Sequence, residues 1–262
     1  MKIAYELIES AIHGYQGIEV SQKDVKAYFP NEVKEKLNDF EGTNELVETF
    51  STSIPLTGFD INVILLDVFS LDVPATEWRI GETFSEVYLE KEKGARFYWS
   101  EIKDQRNINS NKTGADLVGF IDMNGETVFL FGEVKTSNDP NRPPQVLYGK
   151  SGMIKQLEDL ASDRKKVCAL IRYLGTKAIM YRTTDPFRLD YEKALNTFIS
   201  NMDKFHLFGV LVRDNDPDER DLKQRYKSLK AKINKVTGLQ LLALYIPIVQ
   251  SRWQSIVNGT NE

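Results

Sequence analysis

Residues 114–137 read GADLVGFIDMNGETVFLFGEVKTS, and the Asn124–Gly125 pair at their centre fixes how everything around them is placed. Asn-Gly between two apolar runs favours a two-residue type I′ hairpin turn, because both central positions need positive φ. Met123 then faces Glu126, and stepping back along the ladder sets Asp116 opposite Glu133. Side chains alternate along a strand, so Glu133 and Lys135 share a face and Asp116 joins them from the neighbouring strand. The second run, TVFLFGEV, is almost continuously apolar, the pattern of a central strand buried on both faces. Charges that end such a strand demand a reason. Glu-x-Lys alone carries little, since it recurs at Glu32–Lys34 and Glu101–Lys103 with no buried strand beside it. Read as plain structure, the three groups would form an ion pair at a sheet rim, worth ~0.2–1 kcal/mol.

Two carboxylates and one ammonium at the end of a buried strand suit a more demanding chemistry. A phosphodiester is a poor electrophile shielded by its own charge, so its hydrolysis needs a cation near the phosphate and an activated, in-line water. Asp116 and Glu133 are the expected ligands for Mg²⁺ or Mn²⁺, with the backbone carbonyl of Val134 as a further candidate. Lys135, two residues beyond Glu133, is placed to orient the water and oppose charge that builds in the transition state.

Outward from this hairpin, the chain of 262 residues, 41% hydrophobic, can fill one large core. Its single cysteine, Cys168, excludes an internal disulfide, and the first residues lack a basic-then-apolar leader, so the expectation is a cytoplasmic protein. The longest apolar runs, Ile61–Val68 and Leu239–Val249, fall short of the roughly 18 residues of a membrane span and are expected in core strands or helices. With only two histidines, His13 and His206, there is little material for a His-rich zinc site or a catalytic triad.

Charge is divided unevenly. Residues 1–92 hold 18 acidic and 7 basic side chains, whereas Arg142–Arg182 carries nine basic against three acidic and Arg220–Lys235 seven against one. The later basic stretches suit a polyanion, whose binding gains from released counterions, although solvated helix faces account for such runs equally simply. The acidic first third suits internal packing or a protein partner.

In coarse outline, the sequence predicts an N-terminal extension, residues 1–74, of mixed and mostly helical structure that packs on an α/β domain of residues 75–262. A helix is expected over Thr76–Glu92, capped by Thr76, with Ile80, Phe84, Val87 and Tyr88 on one stripe and Glu82 and Glu86 beside it. A short strand, Ala95–Trp99, and a polar loop, 104–114, lead into the hairpin. Helices are expected near 151–161, up to Leu174, and over Pro186–Met202. A closing βαβ unit places strands at Phe205–Arg213 and Gln240–Val249, with Asp216 capping the helix between them.

The order helix with glutamate, strand, Asp strand, Glu-x-Lys strand, helix resembles the PD-(D/E)xK nuclease superfamily over about residues 76–165. In small members of that superfamily a helix glutamate stands about eleven residues before a glycine. GETFSEVYLEKEKGARFYW here sets Glu82 twelve before Gly94, favouring Glu82 over Glu86. The resemblance implies an αβββαβ core with a mixed central sheet flanked by helices. It also implies divalent-metal hydrolysis of DNA, less often RNA, at Asp116, Glu133 and Lys135 with Glu82 in support. One departure is Ala115, where the motif has proline. The helix after the hairpin supplies Lys155 and Gln156, the sort of residues that in related nucleases help hold phosphate or water, and a solvent-facing helix surface accounts for them equally well; with Lys150 they are the expected nucleic-acid contacts. The FGEVKTS ending and the chain length are similar to nuclease subunits of phage-defence systems such as Hachiman, which act with a helicase partner. The alternative is a non-catalytic module of the same fold that binds nucleic acid or a helicase. Oligomeric state is not legible in the sequence.

Overall fold

Asn124 and Gly125 both take positive φ, 53° and 82°, the turn whose twist matches that of the strands it joins. In this computed structural model, which describes residues 1–51, 61–69, 74–99 and 114–260, the chain begins with β1 (Lys2–Ser10), β2 (His13–Glu19), α1 (Gln22–Tyr28) and α2 (Lys34–Asn38). It continues through α3 (Phe40–Ser51), α4 (Ile61–Phe69), α5 (Glu77–Lys93), β3 (Leu117–Met123) and β4 (Glu126–Ser137). Then follow α6 (Met153–Ser162), α7 (Arg164–Ala178), α8 (Pro186–Ser200), β5 (His206–Arg213), α9 (Lys223–Lys230), β6 (Gly238–Tyr245) and α10 (Trp253–Asn258). The expected hairpin register holds from Met123↔Glu126 to Leu117↔Gly132.

The result is an α/β fold on a mixed six-stranded sheet of order β1-β2-β6-β5-β4-β3. The outer pairs β1–β2 and β3–β4 are antiparallel, and β2–β6, β6–β5 and β5–β4 are parallel. Parallel strands need both faces covered. On one face Phe129 and Phe131 of β4 pack with Met153, Leu157 and Leu160 of α6 and with residues of α7, α8 and α9. On the other, Leu130 and Val134 meet Ile80, Phe84 and Val87 of α5, Val25 of α1 and Trp253 of α10. Each such side chain, fully buried, contributes roughly 1.5–3 kcal/mol. Helix α5 lies close against β4: a Cβ added at Gly81 would fall 2.0 Å from Thr136 Oγ1.

Several expectations change. Residues 2–19 are two strands of the main sheet and not part of a helical appendage. The physical reason is that β2 pairs with β6, more than two hundred residues on in sequence, and pairing at that separation leaves no local periodicity to read. The expected strand Ala95–Trp99 is reduced to one bridge, Arg96↔Phe120, while Arg96 itself turns to Asp122 at 2.9 Å and Asp190 at 2.6 Å. Thr76 stands at the N-cap of α5, yet its side chain makes no capping hydrogen bond. Asp218, not Asp216, caps the turn before α9, because Arg142 (2.9 Å) and Arg220 (2.6 Å) hold its carboxylate there. The apolar run at Ile61–Val68 is helical but not core, for Val63 and Val68 are 60% and 66% exposed. Most of the loop predicted over 104–114 lies outside the described residues. Among the described residues, no helix is long and apolar enough to cross a membrane.

Candidate active site

The paired register ends at Leu117↔Gly132, and the Asp116 N–H donates to the Gly132 carbonyl at 2.9 Å, so Asp116 lies beside the end of β4 just outside the regular ladder. Its Oδ2 accepts the Val134 N–H at 2.9 Å, which locks the carboxylate against the end of β4. Glu133 is only 2% exposed. Lys135 donates to Glu133 Oε1, and the Asp116 carboxyl lies near enough for its charge to act on Glu133. All three groups named from the sequence therefore meet.

Strand alternation assigns the face. Gly209 on β5 pairs with Glu133, and a Cβ there would fall 2.8 Å from Leu157 and 3.2 Å from Met153 of α6. Glu133 and Lys135 thus belong to the face that α6 covers, and Thr136, against α5, to the other. Gln156 on α6 has an Oε1 that is buried with no hydrogen-bond partner. A buried unpaired acceptor costs on the order of 1–3 kcal/mol.

Electrostatically the cluster is unbalanced. Burial pushes the Glu133 carboxyl up from the usual carboxylate range, the Asp116 charge adds to this, and the Lys135 ammonium opposes it. Once Glu133 ionises, two carboxylates against one ammonium leave one negative charge in excess at a desolvated place. The carboxyl groups of Asp116 and Glu133 supply oxygen donors, and such donors suit a hard divalent cation.

Not every expected residue joins the cluster. Among the described residues, no three His, Cys, Asp or Glu side chains gather into a set that could hold an ion, so Glu82 does not complete a third carboxylate. It sits on α5 next to Gly81, where its charge acts on Arg79. Glu86 is committed to Lys36 at 3.2 Å. Lys150 is exposed, and Lys155 pairs with Asp159 on its own helix at 2.8 Å. The basic runs are partly spent in such pairs: Lys166 with Asp159 at 3.1 Å, Lys223 with Glu219 at 2.8 Å and Lys232 with Glu158 at 2.9 Å. Arg164, Lys165 and Arg172 remain exposed on α7.

The sequence reading missed a second charged assembly beside the first. Arg213, at the end of β5, and Asp221 are both 0% exposed and pair at 2.7 Å. Tyr245 donates to the same carboxylate at 2.8 Å, and Tyr5 meets Tyr245 at 2.6 Å. Arg213 also donates to the backbone carbonyls of Asp139 and Asn141, fixing the loop that leaves β4 just after Lys135. An arginine that ends the apolar run LFGVLVR was the one available signal, but nothing in the spacing points to Asp221. The chain matches no protein-family model and no curated protein.

Proposed function

We propose that this chain is a divalent-metal-dependent nuclease that hydrolyses phosphodiester bonds in DNA, in the manner of the PD-(D/E)xK enzymes it resembles. The observation that carries the reading is the buried meeting of Asp116, Glu133 and Lys135 at the end of a central strand. Asp116 and Glu133 would hold Mg²⁺ or Mn²⁺, with the Val134 carbonyl as a further ligand. Bound there, the cation would supply polarisation of the scissile phosphate and a lowered pKa for the attacking water.

The chain's own residues account for the remaining steps. Lys135 keeps its ammonium on the Glu133 carboxylate, where it can orient a water and counter charge on the phosphate oxygens. The Val134 N–H fixes the Asp116 carboxylate, so little reorganisation is needed as charge develops. Gln156 brings an unsatisfied acceptor on the helix over this face, suited to a water proton. Exposed Lys150, with Arg164, Lys165 and Arg172 of α7, offers phosphate contacts that steer DNA without reading its sequence. Glu82 takes a supporting part at most, through the α5–β4 contact. Action beside a helicase in phage defence belongs to the proposal through the resemblance of the FGEVKTS segment alone.

One observation favours a second reading, a non-catalytic module that binds nucleic acid or a helicase: among the described residues no third carboxylate joins the cluster. Incubation of plasmid and linear DNA with Mg²⁺ or Mn²⁺ separates the two. Cleavage by the native chain that Glu133→Ala and Lys135→Ala both abolish supports the nuclease. Salt-sensitive DNA binding with no turnover in any of the three proteins supports the module.

A further inference from the structure

A helix that is apolar on all sides belongs in a core, and α4 is not in one. Helices α3 and α4 form a hairpin closed by Phe50 stacked on Phe69, ring centroids 5.6 Å apart. The Thr43 hydroxyl donates to the Phe69 carbonyl at 3.4 Å, and Val47 and Leu65 are buried. Outside that seam the apolar side chains face solvent: Val63, Ile64, Leu66 and Val68 of α4 are 60%, 47%, 43% and 66% exposed, with Leu46 and Phe50 of α3 beside them at 43% and 41%. Leu65 and Phe69 lie on one side of the helix, and the other four flank exposed Asp67 over the rest of its circumference. Scattered exposed leucines are ordinary, but a contiguous apolar patch of this kind marks a contact surface.

Charge narrows what can cover it. Between Lys36 and Arg79 the chain has no lysine or arginine and eight acidic residues: Asp39, Glu41, Glu45, Glu48, Asp60, Asp67, Asp72 and Glu77. A second copy of the hairpin would bring carboxylates against carboxylates. Nucleic acid and an anionic bilayer would be repelled in the same way. What fits is an apolar groove with a basic rim, since apolar anchors supply affinity and complementary rim charge supplies specificity and encounter rate.

We propose that the α3–α4 hairpin is a docking element for a different protein, one that presents an apolar groove edged with lysine and arginine. This surface is separate from the Asp116–Glu133–Lys135 cluster, and the inference stands whether or not that cluster cuts DNA.

The test places the photo-crosslinking residue benzoylphenylalanine at Val63 of the full chain, in cells that naturally express it, with the same residue at Lys165 of α7 as control. The expected result is one adduct with a protein other than this chain, from Val63 only, whose cross-linked peptide combines apolar residues with lysine or arginine. Glu45→Lys with Glu48→Lys should cut its yield about tenfold or more, while the melting temperature of the purified variant stays within a few degrees of the native chain. An adduct of twice the chain's own mass, an adduct with nucleic acid, a link only within the chain, a yield indifferent to charge reversal, or no adduct at all would each overturn the proposal.

Discussion

Two hairpins of this molecule break the ordinary partition of side chains in opposite ways. The β3–β4 hairpin buries charge, with Glu133 2% exposed and close to Asp116. The α3–α4 hairpin exposes apolar surface, with Val63 and Val68 more than half exposed. Each is costly for an isolated chain: buried like charges pay desolvation and repulsion, and exposed aliphatics lose roughly 25 cal/mol per Å² left in water. Each cost would be offset by the partner proposed for it, a cation in the first case and an apolar, basic-edged protein in the second. The Arg213–Asp221 pair is the nearest comparison: it is as buried as Glu133, but its two charges balance one another, although Arg213 Nε and Asp221 Oδ1 each lack a hydrogen-bond partner.

The largest effect should come from unbalancing the β-hairpin. Glu133→Gln or Lys135→Met should lower the rate of metal-dependent DNA cleavage about a thousandfold, the scale on which loss of one preorganised electrostatic group acts, with an unchanged circular dichroism spectrum. Unaltered cleavage by either variant would remove the cluster from the chemistry and leave the comparison without its first half.

Next in size is the matched pair. Arg213→Met alone should cost about 3–5 kcal/mol in urea unfolding, since it strands a buried carboxylate, and adding Asp221→Leu should restore most of that loss. A double variant no better than the single one would show that the backbone contacts of Arg213 to Asp139 and Asn141, and not charge matching, hold this end of the sheet.

His206 sharpens the contrast from the other end of β5. It is 3% exposed, stacks on Phe208 at 4.6 Å and has no hydrogen-bond partner on either ring nitrogen. Burial first, then His13 and Lys93, lower its pKa to about 3. The unfolded chain therefore takes up a proton near its ordinary value while the folded chain does not, so stability falls as pH drops from about 6.5 toward 3, by up to roughly 1.4 kcal/mol per pH unit. Stability curves measured over that range should flatten in His206→Phe relative to the native chain, once the carboxylate contribution common to both is subtracted. Parallel curves would show that His206 is not buried as described.

The smallest effect is expected at α4. Val63→Ser should change monomer stability by no more than about 0.5 kcal/mol, as for other exposed positions, while removing most of the cross-linked complex. A large loss of monomer stability would mean that the hairpin is core after all.

How much of this was legible in the sequence differs between the same two regions. Asn124–Gly125 and the alternation on either side of it set the register, so the meeting of Asp116, Glu133 and Lys135 followed from local chemistry. The same local signals located α6, α7, α8, β5 and β6. By contrast, β1 and β2 join the sheet through β6, the far end of the chain, and Arg213 meets Asp221, eight residues on, through an irregular turn that no strand or helix period marks. Ile61–Val68 shows the limit from the other side. Its apolar composition pointed to a core element, and the structure leaves Val63 and Val68 exposed instead, because composition records apolarity and not whether a helix finds a packing partner within the chain.

Isothermal titration of Mn²⁺ into the purified, metal-stripped chain, beside Asp116→Asn and Glu133→Gln, addresses the central claim most directly, because it reads the cation and not its consequences. The native chain should bind with release of a fraction of a proton near pH 7, as the raised Glu133 carboxyl ionises, and both variants should lose at least about tenfold in affinity. Equal binding by all three proteins, or none by the native chain, would contradict the account.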